Sequence, residues 1–242
     1  MDSLYDFQSV LTKFLLDNGY EISQDKVEKL IKHSVLVKEK NKQVNLTAIT
    51  DDSEIVIKHI IDSLLYVHPT LPYQIQESDL VLDIGSGAGY PGLPINIVSN
   101  ANTTLMDSVN KKVDAINSFI KDLRISNAQG VSARAEEYAI NNKEKYTVIT
   151  FRAVAKASIL LEYAQPFLKK KGCVILSKTD HDADEISHAI KVGKNIGLSL
   201  VSDTLLNLPE NNGNRHIYIF QKTGKSNIKL PRPNGFAKNK PL

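Results

Sequence analysis

"VLDIGSGAGYPGLP", residues 81–94, decides how this 242-residue chain is read. It holds four of the twelve glycines, and it runs from an apolar stretch into a glycine cluster and then two prolines. In an α/β sheet a ligand sits beyond the strand C-termini, at the turn into the next helix. "VLDI" reads as the strand, and Pro91 as a residue of the first helical turn. Gly85, Gly87 and Gly89 remove β-carbons where backbone must approach a ligand, and they permit positive φ. A dinucleotide fingerprint needs glycine at its first, third and sixth positions. Here the sixth is Tyr90. Gly-x-Gly-x-Gly, with Asp83 two residues ahead, favours S-adenosylmethionine (AdoMet) over NAD, with a bare tight turn as the alternative.

Outward from the loop, short apolar runs alternate with helical segments. "DLVLDI", "TTLMD", "AQGVSA", "YTVITF" and "GCVILSK" are strand candidates, and "VDAINSFIKDL" and "ASILLEYAQPFL" are helices between them. This alternation predicts a parallel, doubly wound, Rossmann-like sheet. "LSLVSDTLLNL", "PENNGN" and "RHIYIFQK" then read as strand, turn and strand. The expected result is an α/β fold with a seven-stranded, mostly parallel sheet ending in an antiparallel hairpin, which resembles the class I AdoMet-dependent methyltransferase architecture.

Before residue 79 the pattern is helical. Leu4, Phe7, Val10, Leu11, Phe14 and Leu15 keep helical spacing, and Ser23 can cap a second helix carrying Val27, Leu30 and Ile31. Asp51 with Glu54 resembles a capping box for "EIVIKHIIDSLLYV", which Pro69 and Pro72 end. The expected division is a helical extension over 1–78, a core over 79–223 and a basic tail over 224–242.

Composition is ordinary for a globular protein, with 42% hydrophobic and 24% charged residues. No apolar run approaches a membrane span. The start, "MDSLYDFQSV", has Asp2 and Asp6 and no basic segment, unlike a signal peptide. Cys173 is the single cysteine and reads as a small buried hydrophobe. A cytoplasmic location is expected. The net charge of +3 is uneven. Residues 221–242 carry Lys222, Lys225, Lys229, Arg232, Lys238 and Lys240 without an acid, so the remainder is mildly acidic. Such a tail can contact nucleic acid; on charge alone a solvated, disordered end fits better.

Other residues extend the candidate site. Asp107, at the end of the second strand, can accept from both hydroxyls of a ribose; its alternative, with Ser108, is to cap the next helix. With the glycine loop ahead of it, the ribose role is favoured. Ala135 and Glu136 can read the adenine edge, or simply begin a helix. At the fourth strand "TFRAVA" lacks the Asp/Asn-Pro-Pro-Tyr/Phe pattern of exocyclic-amine methyltransferases. Cys173 follows Gly172 inside a strand, which disfavours cytosine-C5 chemistry. A ring nitrogen such as guanine N7 needs positioning and no base, and positioning alone contributes roughly 7–11 kcal/mol. Arg152 can hold the AdoMet carboxylate or an RNA phosphate. Lys178 can meet phosphate or guanine O6, or be solvated. Asn45 and Thr47 can cover the site, though turn chemistry fits them slightly better. His59 reads as a satisfied, half-buried histidine. Asp180, Asp182 and Asp184 resemble a calcium loop, but Glu185 stands where glycine is required. His181 and His188 lack companion ligands, and no metal is expected.

Several motifs in order carry a more specific resemblance: "VNLTAI" at 44–49, "KHIIDSL" at 58–64, "DIGSGAGYPGLP" at 83–94, "LMDSVNKK" at 105–112, "RAEE" at 134–137, "RAVA" at 152–155, "RHIYIF" at 215–220, and the closing "PR" and "KPL". The chain resembles the RsmG family (glucose-inhibited division protein B), over nearly its whole length. The resemblance implies an AdoMet-dependent enzyme that methylates N7 of a guanine in the decoding-region loop of 16S rRNA. It implies AdoMet contacts at Gly85, Tyr90, Ala135, Glu136 and Arg152, with Asp107 as the acid after the second strand. Asp83, Gly87 and Gly89 join these as cofactor candidates. Asn45, Thr47, Lys178, Arg215 and Arg232 are the substrate candidates, with Arg152 and Lys178 the positioning ones. The partner is 16S rRNA, naked or in a small-subunit assembly intermediate, bound by a monomer without a membrane. Thr147, Thr179 and Ala237 depart from the family's usual Asp, Gly and Pro, which bears on the local geometry of the fourth and fifth strands. Two rivals remain: an NAD-dependent oxidoreductase, and a non-catalytic RNA-binding protein.

Overall fold

Helices come first, as the spacing predicts: α1 (Asp2–Asp17) and α2 (Gln24–Asn41). The computed structural model describes residues 2–152, 154–179 and 183–242. Ser23 stands at the N-cap of α2 with extended backbone, but its side chain makes no cap bond. A helical stretch over residues 52–67 follows in four parts: α3 (Asp52–Ile55), a π-helical run (Val56–Ile61), α4 (Asp62–Leu64) and a 3-10 turn (Leu65–Val67). Half of the expected capping box forms here. Asp51 Oδ1 accepts from the Glu54 N–H at 3.1 Å, while the Glu54 side chain pairs forward with Lys58.

The strands are β1 (Leu80–Ile84), β2 (Asn102–Asp107), β3 (Ala128–Ser132), β4 (Tyr146–Phe151), β5 (Leu168–Lys178), β6 (Leu198–Asn207) and β7 (Asn214–Lys222). They form one seven-stranded sheet in the order β3-β2-β1-β4-β5-β7-β6. The first five run parallel, and β7 lies antiparallel between β5 and β6. Between strands lie α5 (Gly92–Ser99), α6 (Asn110–Asp122), α7 (Ala135–Asn141), α8 (Ala157–Ala164) and α9 (Ala183–Asn195). The strand order reverses between β1 and β4, and the crevice beyond their C-terminal ends is where α/β sheets bind ligands.

Period-two alternation sends successive β1 side chains to opposite faces. Val81 joins the cluster that holds α1, α2, the π run, α5 and α6. Leu82 and Ile84 join the other, with α8 and α9. The helical extension therefore shares a core with the sheet rather than forming a separate body. Asp83 lies on the Val81 side with a fully buried carboxylate.

Cys173 is buried in β5. Thr147 takes over an edge bond: its hydroxyl accepts from the Leu80 N–H at 2.9 Å. The tail differs from the extended, solvated end expected. It turns back, forms a short helix α10 (Phe236–Asn239) and buries Ala237. Leu230 and Leu242 pack on the α8–α9 side. Lys222 is buried, with its ammonium 3.0 Å from Glu144 and 2.8 Å from the Leu168 carbonyl.

Candidate functional site

Two cavities open on either side of the glycine loop and share Gly85. Each is about 330–340 Å³, at the lower end of the ~300–1,000 Å³ range of small-molecule sites.

The first is lined by Gly85, Asp107, Ser108, Lys112, Ala135, Glu136, Val154 and Lys238 among others. Here the sequence-predicted Asp107, Ala135 and Glu136 come together. Asp107 does two things at once. Its Oδ1 accepts from the Val109 N–H at 3.0 Å, fixing the turn into α6. Its Oδ2 accepts from the Gly87 N–H at 3.1 Å, tying down the loop. Each carboxylate oxygen retains a further lone pair, so the local turn role leaves capacity for a ribose. Gly87 has φ +56, and a β-carbon there would meet nothing nearer than the Gly85 carbonyl at 4.0 Å. The space in front of it is open and belongs to the second cavity, which Gly87 lines while its N–H is held from the first. Gly89 is a packing position, since its β-carbon would crowd Leu93 and His33. These residues fit AdoMet: open backbone at the loop, an acid for the ribose, and a carboxylate with a small residue for the adenine.

Asp83 is placed differently from the expectation. Its carboxylate is walled inside, accepting from Thr150 Oγ1 at 2.9 Å and the Gly92 N–H at 3.1 Å. It braces the loop from behind. Burial raises its pKa to about 6, against the lowering effect of those donors.

The second cavity is lined by Thr47, Lys58, His59, Asp62, Gly85, Gly87, Tyr90, Arg152 and Arg215, so the cofactor candidates Tyr90 and Arg152 fall here and not beside Asp107. The π-helical run presents Lys58 and His59 and leads into Asp62; π segments are frequent at functional sites. Asp62 is a hub. It accepts from Arg215 Nε at 2.9 Å and lies 3.4 Å from Arg152 Nη1. Arg152 also donates to the Lys58 carbonyl at 2.8 Å and meets His59 Nδ1 at 3.1 Å. His59 Nδ1 lies equally 3.1 Å from the Lys58 carbonyl, so it faces a donor and an acceptor at once. Nε2 lies 2.8 Å from Thr47 Oγ1. Thr47 Oγ1 also accepts from the Ile49 N–H at 3.1 Å. Burial, and then the Arg152 charge, lower the His59 pKa to about 3, so the ring is neutral. His59 stacks on Tyr90 with centroids 4.8 Å apart, and Arg152 lies 5.2 Å from the same ring. The Tyr90 hydroxyl is buried without a hydrogen-bond partner among the described residues.

Other expected positions fall elsewhere. Lys178 lines neither cavity; its ammonium bonds the Ala155 carbonyl at 3.1 Å and Glu185 at 2.7 Å. Arg232 grips Glu162 through two bonds of 2.7 and 2.6 Å, which locks the tail to α8 and takes this guanidinium away from RNA. Asn45 is exposed and lines neither cavity. Asp180, His181, Asp182 and Ala153 lie outside the described residues. Among the described residues no group of three His, Cys, Asp or Glu could hold a metal, and no helix is long and apolar enough to cross a membrane. Sequence reasoning passed over Lys58 and Asp62 and gave His59 a bland role. The signal was there in "IVIKHIIDSLL", where polar residues interrupt an otherwise apolar helix on one side.

Comparison with known proteins identifies the family and the fold. The family model GidB, described as rRNA small subunit methyltransferase G, matches residues 26–215. A ribosomal RNA small subunit methyltransferase G from Clostridium botulinum (strain ATCC 19397 / Type A) is 33% identical over 98% of this chain and 99% of its own. One from Desulfitobacterium hafniense is 35% identical over 92% of each chain. Among solved structures, M. jannaschii TYW2 in complex with AdoMet is 16% identical, with a TM-score of 0.53 over 67% of this chain and 74% of its own. A predicted O-methyltransferase from Agrobacterium tumefaciens, also 16% identical, gives 0.54 over 68% and 81%. These two structures share the fold.

Proposed function

The chain belongs to the rRNA small subunit methyltransferase G (GidB) family, and from that premise we propose that it methylates N7 of one guanine in the decoding-region loop of 16S rRNA. It is an AdoMet-dependent rRNA methyltransferase. The observation that carries the finer reading is the pair of cavities meeting at Gly85. The Asp107 cavity suits the cofactor, and the Thr47–Arg152 cavity suits the base. AdoMet, when bound, supplies an electrophilic methyl group on a sulfonium.

The residues of the base cavity organise rather than deprotonate. His59 is neutral, and the carboxylate of Asp62 is engaged by two arginines. Guanine N7 already carries a lone pair and has O6 beside it as an acceptor. Arg152 and Arg215 line this cavity and share the single Asp62 carboxylate, which leaves one guanidinium charge uncompensated there to attract an RNA phosphate. Incubation with methyl-tritiated AdoMet and 16S rRNA, followed by digestion to nucleosides, tests this. Label should appear in 7-methylguanosine. Label in another nucleoside would overturn the choice of atom while leaving the family intact.

A further inference from the structure

The C-terminal tail, whose charge alone fits a solvated, disordered end, reaches the cofactor cavity instead. Arg232 anchors it through Glu162, a carboxylate only 4% exposed. Arg232 Nη1 also donates to the Lys240 carbonyl at 2.9 Å, closing residues 232–240 into a compact turn. Asn234 donates to Glu137. The Gly235 N–H donates to Glu136 Oε1 at 2.9 Å. Lys238 then lines the same cavity as Asp107 and Glu136.

Glu136 is half-buried and stands between two hollows. One is the cofactor cavity, and the other is lined by Lys229, Leu230, Pro231 and Arg232 of the tail. A glutamate side chain turns about three bonds and, unpinned, samples many rotamers that face solvent. Gly235 holds one oxygen from the tail side. The other oxygen keeps its acceptor capacity for a ligand amine. Gly235 has φ +78, a left-handed backbone that a β-carbon would strain.

Resting on the assignment of AdoMet to the Asp107 cavity, we propose that residues 233–238 are a positioning wall of the cofactor site, with Gly235 setting the Glu136 carboxylate toward the adenine amino group and Lys238 closing the cavity. Tail docking and cofactor binding are then linked, and the linkage is reciprocal. A bound cofactor holds the tail down, and a docked tail sharpens recognition of the base.

The test compares two probes, S-adenosylhomocysteine and S-inosylhomocysteine, in which a 6-oxo group replaces the 6-amino group. Wild type should bind the adenosyl compound about tenfold or more tightly by calorimetry, because a site built to accept from an amine rejects the analogue lacking it. Truncation after Arg232 keeps the Glu162 pair and removes Gly235 and Lys238. The truncated chain should bind the adenosyl compound at least about tenfold more weakly, with the preference between the two falling toward unity. Equal weakening of both probes, or no change in either, would overturn the proposal. Should the truncated chain fail to fold, hydrogen exchange of the intact protein decides. The peptide spanning 233–240 should exchange more slowly with S-adenosylhomocysteine bound, and an unchanged rate overturns the proposal. Failure of wild type to bind S-adenosylhomocysteine at all would instead overturn the cofactor assignment beneath it.

Discussion

Asp83→Asn should make the protein more stable at neutral pH and more sensitive to acid. The wild-type carboxylate is fully buried and its pKa is pushed from 3.8 to about 6. Each pKa unit is about 1.4 kcal/mol, so ionising Asp83 costs roughly 3 kcal/mol of stability above pH 7, relative to a neutral side chain. Asparagine can keep both contacts. Its carbonyl accepts from the Gly92 N–H, and its amide donates to Thr150 Oγ1. The sign with pH follows from proton counts. The folded state takes up the Asp83 proton near pH 6, while the unfolded chain waits until about 3.8, so wild type gains stability from this group as pH falls. His33 and His59 act oppositely. Burial lowers them to about 4 and about 3 from 6.5, so the unfolded chain binds their protons first and stability is lost as pH falls below 6.5. Between pH 6 and 4 these three groups leave wild type losing about one proton's worth of stability, ~1.4 kcal/mol per pH unit. The variant loses two, ~2.7 kcal/mol per unit. Urea unfolding at pH 4 to 8 reads this directly. The two curves should meet near pH 4 and stand about 3 kcal/mol apart above pH 7. Parallel curves, or a variant less stable at every pH, would refute the reasoning.

Three further substitutions test the site and its supports. Gly87→Val places a β-branched side chain in the open space before the loop and forces it to adopt φ +56; calorimetry should show AdoMet binding lost, and retained binding would mean the loop is only a turn. Asp107→Ala removes charge-assisted bonds of ~1.5–3 kcal/mol each at most and frees the Gly87 and Val109 N–H groups; AdoMet affinity should fall at least about tenfold, and unchanged affinity would leave Asp107 with its turn role alone. Arg232→Met strands the buried Glu162 carboxylate and should cost about 3–5 kcal/mol in urea unfolding, most of it recovered by adding Glu162→Met; a cost below ~0.5 kcal/mol would mean that the tail is not docked in solution.

The strands were legible because each carries its own short apolar run, and the hairpin because "PENNGN" separates two such runs. The glycine loop was legible because Gly87 and its neighbours serve the local backbone. Asp107, Ala135 and Glu136 meet in one cavity because Asp107 ends β2 and the other two open α7 just after β3, so sequence position fixes which end of the sheet they occupy. What escaped depends on long-range pairing. Nothing local in "PR" says that Arg232 meets Glu162, 70 residues away. Charge composition pointed Arg232 outward, and a buried partner turned it inward. Asp83 looked like a ligand group because it precedes the loop, but alternation along β1 sends its side chain into the core. Lys58, His59 and Asp62 stood out as polar residues on one side of an apolar helix, but their partners Arg152 and Arg215 lie at least 90 residues away, so their role was not local.

Chain scission at 7-methylguanosine in cellular 16S rRNA tests the central claim most directly. Borohydride and aniline cleave RNA at this nucleoside, and primer extension locates the break. A strain lacking the gene should lose one break in the decoding-region loop. Expression of wild type should restore it, and expression of Gly87→Val should not. Persistence of that break without the gene, or its loss unrepaired by wild type, would contradict the assignment of this chain to guanine N7.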